Sequence, residues 1–215
     1  MIINGIISAW REVKPIVIGL VGLSFIGIVL KHKWLTTIST LFLGGVFYFF
    51  RDPERFPELI APDIIFSPAD GRIIKIEQVN ESEFMQGECQ RVTIFLSLFD
   101  VHVQHTPYPS VVKSIKYQSG GFAPALFKHA DDNESNSICL ETQHGPLIVK
   151  QMTGLLARRI VCWVDLEDQL ELGQRLGLIK FGSRVDLFLP TDKVALLVQA
   201  GQTVYGGQTA IARWC

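Results

Sequence analysis

The chain has 215 residues, with 20 Lys and Arg against 21 Asp and Glu, a formal net charge of −1. That balance excludes the general basic pull of a nucleic-acid binder, and the length allows one sizeable core plus an appendage. The charge is unevenly spread: in the first 50 residues Arg11, Lys14, Lys31 and Lys33 face Glu12 alone, a net of +3, which leaves −4 for the rest. Cys89, Cys139, Cys162 and Cys215 have neither metal-knuckle nor CxxC spacing. The first three lie in apolar runs, as buried free thiols do, which points to a reducing compartment.

The first elements are two uncharged runs, "IVIGLVGLSFIGIVL" over 16–30 and "WLTTISTLFLGGVFYFF" over 34–50, split by Lys31, His32 and Lys33. As helices they span about 22–26 Å, short of a bilayer core of about 30 Å. Both are apolar all round, where a surface helix shows one stripe. Lys14, Lys31, Lys33 and Arg51 can snorkel from the ends, and Trp34 and Tyr48 suit an interfacial belt. A signal peptide is excluded by the lack of a small-residue cleavage site and by the second run that follows at once. Residues 1–55 are therefore expected to form a membrane hairpin, spanning or dipping. If it spans, Arg11 and Lys14 before it and Arg51 and Arg55 after it place both ends in the cytoplasm, with Lys31 and Lys33 opposing.

From residue 56 to 215 the pattern changes to short β-branched runs cut by Gly, Pro and Asp. This predicts a mainly β domain, a sandwich or barrel. "SICLETQHGPLIVKQMTG" reads as a hairpin about His144–Gly145, and "VVKSIKYQ" runs into the pair Gly120–Gly121. "FAPALFKHADDNESNS" (122–137) lacks a period and reads as a long loop with room for one helical turn. "LELGQRLGLIKFGS" and "VQAGQTVYGGQTAIAR" both set a Gly-Gln turn before a strand pair. That echo resembles the hammerhead repeat of barrel-sandwich hybrids. No Lys stands at the tip of the second copy, which argues against a swinging-arm carrier.

Chemistry enters at "IKFGSRVDLFLP". A serine hydroxyl can attack the carbonyl before it, and Gly182 ahead of Ser183 permits strained backbone and close approach. An isolated Gly-Ser is more often just a β-corner. Asp70 in "SPADG" is equally a turn residue. In "DVHVQH", Asp100 and His102 are two apart and share a strand face, while His105 needs a bend before Pro107 to join them. The D-x-H-x-x-H spacing can hold a metal, but no matched further ligand accompanies it, so no metal is expected. His144, His129 and His32 read as surface or turn residues.

"FFRDPER", "SPADG", "FLSLFDVHVQHTP", Asn133-Glu134, "GLLARRIVCWV" and "GQRLGLIKFGSRVDLFLP" follow one another in this order. Together they resemble the phosphatidylserine decarboxylase proenzymes, in the short membrane-anchored branch, over nearly the whole chain. The resemblance implies a barrel-sandwich-hybrid-like catalytic domain that cuts itself between Gly182 and Ser183 into a β chain (1–182) and an α chain (183–215). Ser183 then becomes a pyruvoyl cofactor. Asp70, His105 and Ser183 match the family's self-cleavage triad, His102 a histidine for proton transfer during decarboxylation, and Asp100 is expected to position it. Many short-branch relatives carry Arg where this chain has His105. Gly120, Gly121, Asn133, Glu134, Arg158 and Arg159 are the expected substrate contacts, with Arg51 and Arg55 as further candidates for the lipid phosphate. The implied partners are phosphatidylserine in the cell (inner) membrane, the two chains of one precursor, and room for a homodimer; no nucleic acid is implied. An uncleaved membrane-tethered β scaffold, or a decarboxylase of a related aminophospholipid, are the rival readings.

Overall fold

The computed structural model describes residues 2–57, 61–123, 131–154, 159–180 and 183–215. Gly182, Arg158 and His129, with most of the predicted long loop, lie outside them. The chain divides into two compact units, Met1–Pro53 and Glu54–Cys215.

The first unit is a pair of helices, α1 (Ile2–Val29) and α2 (Lys33–Phe49). α1 begins well before the predicted residue 16 and carries Pro15 inside it. An interior proline normally ends or kinks a helix, so sequence reasoning starts the helix after it; the apolar residues ahead of Pro15 continue the helix all the same. Glu12–Val29 is 18 residues long with a mean hydropathy of 1.9, long and apolar enough to cross a membrane. Lys31 takes a left-handed turn (φ 53°), and His32 caps α2 by accepting from the Leu35 N–H through Nδ1. The two helices meet through the Ser24 and Ser39 hydroxyls, 2.8 Å apart. They also cross closely at Gly27, where a Cβ would lie 2.5 Å from Thr36 Oγ1. Small residues and hydroxyls at the contact are how apolar helices associate when hydrophobicity cannot discriminate between them.

The second unit is mainly β. Its strands are β1 (Ile64–Phe66), β2 (Gly71–Glu81), β3 (Gly87–Leu96), β4 (Val103–His105), β5 (Ser110–Gln118), β6 (Ser135–Thr142), β7 (Gly145–Thr153), β8 (Ile160–Cys162), β9 (Gln169–Leu170), β10 (Arg175–Ile179), β11 (Ser183–Pro190), β12 (Val194–Leu196), β13 (Thr203–Val204) and β14 (Ala210–Trp214). Eight of them form one curled sheet in the order β13-β2-β3-β11-β7-β6-β5-β9. Two three-stranded sheets, β1-β14-β12 and β4-β10-β8, accompany it. The 142–145 hairpin turns at Gln143–His144, one residue from the predicted place.

Ile73 of β2, Ile94 of β3, Val149 of β7, Leu176 of β10 and Val185 and Leu187 of β11 belong to one buried cluster. β11 is the pivot: every residue from Ser183 to Leu189 is buried, because both faces are covered. The Gly-Gln echo is one turn used twice. Gly173 and Gly201 are both left-handed (φ 73° and 92°), and Gln174 and Gln202 each donate N–H to a carbonyl three residues back. Each glutamine side chain also accepts from that same residue's N–H, Glu171 in one copy and Gln199 in the other.

Candidate active site

One end of the large sheet gathers most of the sequence-predicted residues. Ser183 opens β11 and pairs with Leu96 at the end of β3 on one side and Thr153 at the end of β7 on the other. Across β3, Arg72 of β2 stands opposite Phe95, which stands opposite Arg184. Two strand spacings therefore separate the chain just after Asp70 from the chain just after Ser183, about 10 Å. Gly71 makes the approach possible. Its φ is +145°, and a Cβ there would lie 2.2 Å from the Phe95 carbonyl oxygen. Ser183 alternates with Val185, Leu187 and Leu189 on the core face. It is wholly buried, and among the described residues its Oγ has no hydrogen-bond partner. An unsatisfied buried hydroxyl costs about 1–3 kcal/mol, so it marks a place where folding stability is not the only demand.

Asp70 and His105 converge on a glycine that sequence reasoning missed. Gly206 donates its N–H to Asp70 Oδ1 at 2.8 Å. A Cβ on Gly206 would sit 3.1 Å from His105 Nδ1 and 3.3 Å from Ala69. His105 is held by its own N–H to the Pro68 carbonyl (2.8 Å), which ties β4 to the "SPADG" turn. The second Asp70 oxygen pairs with Arg55 at 2.7 Å, both side chains being largely buried. Arg55 also lies against the Tyr205 ring, 5.2 Å from its centroid. "FFRDPER" offered Arg55 only as a lipid-phosphate contact; its partner is 15 residues away, and no local pattern announces that pairing.

His102 occupies a different position from His105. β4 begins only at Val103, so Asp100 and His102 do not share a strand. His102 is wholly buried, and its Nδ1 lies 2.9 Å from the Asp100 backbone carbonyl. A carbonyl can only accept, so Nδ1 carries the proton and Nε2 keeps its lone pair. The Asp100 carboxylate is turned elsewhere: Oδ2 accepts from the Ser97 N–H at 2.7 Å, closing the 97–100 turn. The His102 carbonyl accepts from Ile179 N–H, at the end of β10 that leads to Ser183, whereas His105 pairs with Arg175 at the other end. Leu96 faces Ser183 and His102 faces Ile179, so the 97–101 connection and the 180–182 connection bracket each other. A buried amide relay supports His102 from behind. Gln104 Nε2 donates to the His102 carbonyl, Gln151 Nε2 to Gln104 Oε1, and Asn136 Nδ2 to Gln151 Oε1. These amides come from three strands distant in sequence, so nothing local signals the relay.

The expected substrate-contact residues fall into separate roles. Asn133 is buried and saturated: Oδ1 accepts from Ala123 N–H, and Nδ2 donates to the Ala123 and Thr153 carbonyls. It clamps its loop to the residue opposite Ser183. The Glu134 carbonyl accepts from both the N–H and the hydroxyl of Thr153. Gly120 lets the two loop ends touch, since a Cβ there would lie 2.3 Å from the Asp132 carbonyl oxygen, and Gly121 bridges Asn133. Arg159 is exposed, its carbonyl bonded to Lys180 N–H. The residue after Ser183 was not singled out by sequence. Arg184 grips Asp186 with two nitrogens, at 2.8 and 2.6 Å, and reaches Asp131 at 2.9 Å. Burial pulls the Arg184 pKa down, but the bonds and charges of Asp186 and Asp131 outweigh it and raise it, so the guanidinium stays charged.

The arrangement is that of a buried nucleophile at the start of a fixed strand, with two histidines and an ion-paired carboxylate around the junction that leads into it. A family model described as phosphatidylserine decarboxylase matches residues 42–212. The phosphatidylserine decarboxylase proenzyme of Carboxydothermus hydrogenoformans is 44% identical over 186 residues, 86% of each chain. That of Desulfotalea psychrophila is 42% identical over 206 residues, 94% of this chain and 95% of its own. That of Syntrophus aciditrophicus is 39% identical over 185 residues, 85% of each.

Proposed function

This chain belongs to the phosphatidylserine decarboxylase family, and from that premise we propose that it is a precursor that cuts itself between Gly182 and Ser183 and then converts phosphatidylserine to phosphatidylethanolamine. The observation that carries this reading is the Ser183 hydroxyl, buried, without a hydrogen-bond partner among the described residues, and at the first position of a strand locked on both sides. The Ser183 oxygen attacks the Gly182 carbonyl carbon, and His105 takes the hydroxyl proton. The amide C–N bond breaks, the nitrogen is protonated, and an ester joins the two chains. Loss of the Ser183 α-proton expels the Gly182 carboxylate and leaves dehydroalanine. Water then replaces its nitrogen, releasing ammonia and leaving a pyruvoyl group at residue 183. Asp70, oriented by Arg55 and Gly206, stabilises the His105 charge.

The pyruvoyl group supplies an electron sink for decarboxylation of an amine-bearing substrate. Support for its fit comes from the strand: β11 is buried along its length, so a group at its first residue stays fixed and away from bulk water. His102 keeps Nε2 able to accept or return a proton at the same junction. The helical pair holds the enzyme in the cell (inner) membrane with the β domain on the cytoplasmic side, which confines enzyme and lipid to one surface and raises their effective concentration.

Intact mass spectrometry of the purified full chain tests the reading. The expected result is two fragments meeting at 182/183, the smaller lacking a free amine, with Ser183→Ala and His105→Ala each remaining single chains. A single chain with an unmodified Ser183 under membrane conditions would sink it. Full processing of the His105→Ala protein would remove His105 from the base role alone.

A further inference from the structure

Two large apolar side chains stand outward beside the site. Leu98 is 42% exposed and Phe99 is 73% exposed, at the tip of the 97–100 turn. The turn is rigid: Asp100 closes it through the Ser97 N–H, and Asp100 N–H bonds back to the Ser97 carbonyl at 3.1 Å. It belongs to the connection that starts opposite Ser183 and ends at His102. Phe122, 40% exposed, stands on the loop that Asn133 clamps to Thr153, on the other side of Ser183. Exposed Arg159 and its backbone partner Lys180 sit at the opposing connection. Holding a phenylalanine in water at a fixed turn tip is unfavourable unless something receives it.

We propose that the Leu98–Phe99 tip is a second membrane contact, distinct from the helical pair, that inserts into the interface of an anionic lipid bilayer and sets the Ser183 end of the sheet against the lipid headgroups. This rests on the reading of Ser183 as the reacting centre for a bilayer lipid. Three features favour a lipid surface as the occupant. Two side chains are too little for a stable protein interface: a phenylalanine buries about 200 Å², whereas a specific interface clears about 1,000 Å². An apolar tip flanked by Arg and Lys matches an apolar interior beneath negative headgroups. The tip also lies on the short connection next to Ser183, so seating it brings a headgroup to the residue that must meet it.

The test uses the full-length protein and two forms of one substrate. Long-chain phosphatidylserine is presented in phosphatidylcholine vesicles holding the enzyme, and dihexanoyl-phosphatidylserine as a soluble monomer to the detergent-solubilised enzyme. For the doubly substituted Leu98→Ser, Phe99→Ser protein, fragments at 182/183 and turnover of the soluble lipid match the parent. The apparent KM for vesicle lipid rises about tenfold, as expected from withdrawing two apolar side chains from the interface. Phe99→Trp keeps the parent KM, because an aromatic ring still partitions there. An unchanged vesicle KM in the double variant, or an equal loss on both substrates, overturns the proposal. So does a change in oligomeric state by light scattering, which would make a second copy the occupant. If the parent neither processes nor turns over either lipid, the enzymatic reading itself fails, and the tip proposal with it.

Discussion

Arg55 shows how one residue can change meaning once its partner is known. In sequence it is a cation near an apolar segment, and a lipid phosphate is the obvious ligand. In the structure it holds Asp70 at 2.7 Å while Gly206 N–H takes the other oxygen, so the carboxylate has both acceptors engaged before any reaction begins. A carboxylate kept charged and aimed in this way can stabilise a protonated imidazole; an unpaired one would swing or protonate. Arg55→Ala is therefore expected to slow appearance of the 182/183 fragments about tenfold or more, with Arg55→Lys recovering part of the rate. Protein that has nevertheless been processed should keep the parent KM for phosphatidylserine. A gel time course followed by kinetics on the processed fraction separates the two roles. Normal processing with a raised KM would return Arg55 to the lipid phosphate. Asp70, His102, His105 and Ser183 all stand out in the sequence because their types carry chemistry. Arg55's role and Gly206 do not, because a backbone N–H and a long-range ion pair leave no local pattern.

At the level of elements, what was legible was what local physics decides. The β-branched runs became strands, the 142–145 hairpin formed, and both Gly-Gln turns appeared in one conformation. α1 runs past Pro15 because its apolar flank outweighs the local rule. The outer face of β11 was illegible for a different reason. Arg184 and Asp186 are two apart and so share a face, yet their worth depends on burial that only the neighbouring strands supply. Asp186 is 1% exposed and closes a network in which Arg91 and Arg184 both approach it, while Asp131 on the loop side is 54% exposed. Removing a buried partner strands a charge, whereas removing an exposed one costs little. Asp186→Ala should lower unfolding free energy by about 3–5 kcal/mol and Asp131→Ala by less than about 1 kcal/mol, measured by urea denaturation. Equal effects would mean that the cluster is solvated in solution.

Self-cleavage at 182/183 has a consequence for the whole catalytic unit, because the cut lies in the middle of its largest sheet and not at its edge. β11 starts the smaller fragment and is flanked by β3 and β7 of the larger one, with all eight residues paired to β3. The smaller fragment also supplies β13 to β2 and β14 to β1. Val185, Leu187 and Leu189 are fully buried, each worth about 1.5–3 kcal/mol if exposed by separation. Breaking one covalent bond at the head of β11 removes none of these contacts. The fragments should therefore coelute in size-exclusion chromatography and separate only under denaturant. Unfolding, however, becomes a dissociation once the chain is cut, so mass action applies. The Tm of the processed protein should fall on dilution, while that of uncut Ser183→Ala should not move with concentration. Loss of the small fragment in native buffer would contradict the central placement of β11. A concentration-independent Tm in fully processed protein would show that the two fragments do not come apart on unfolding.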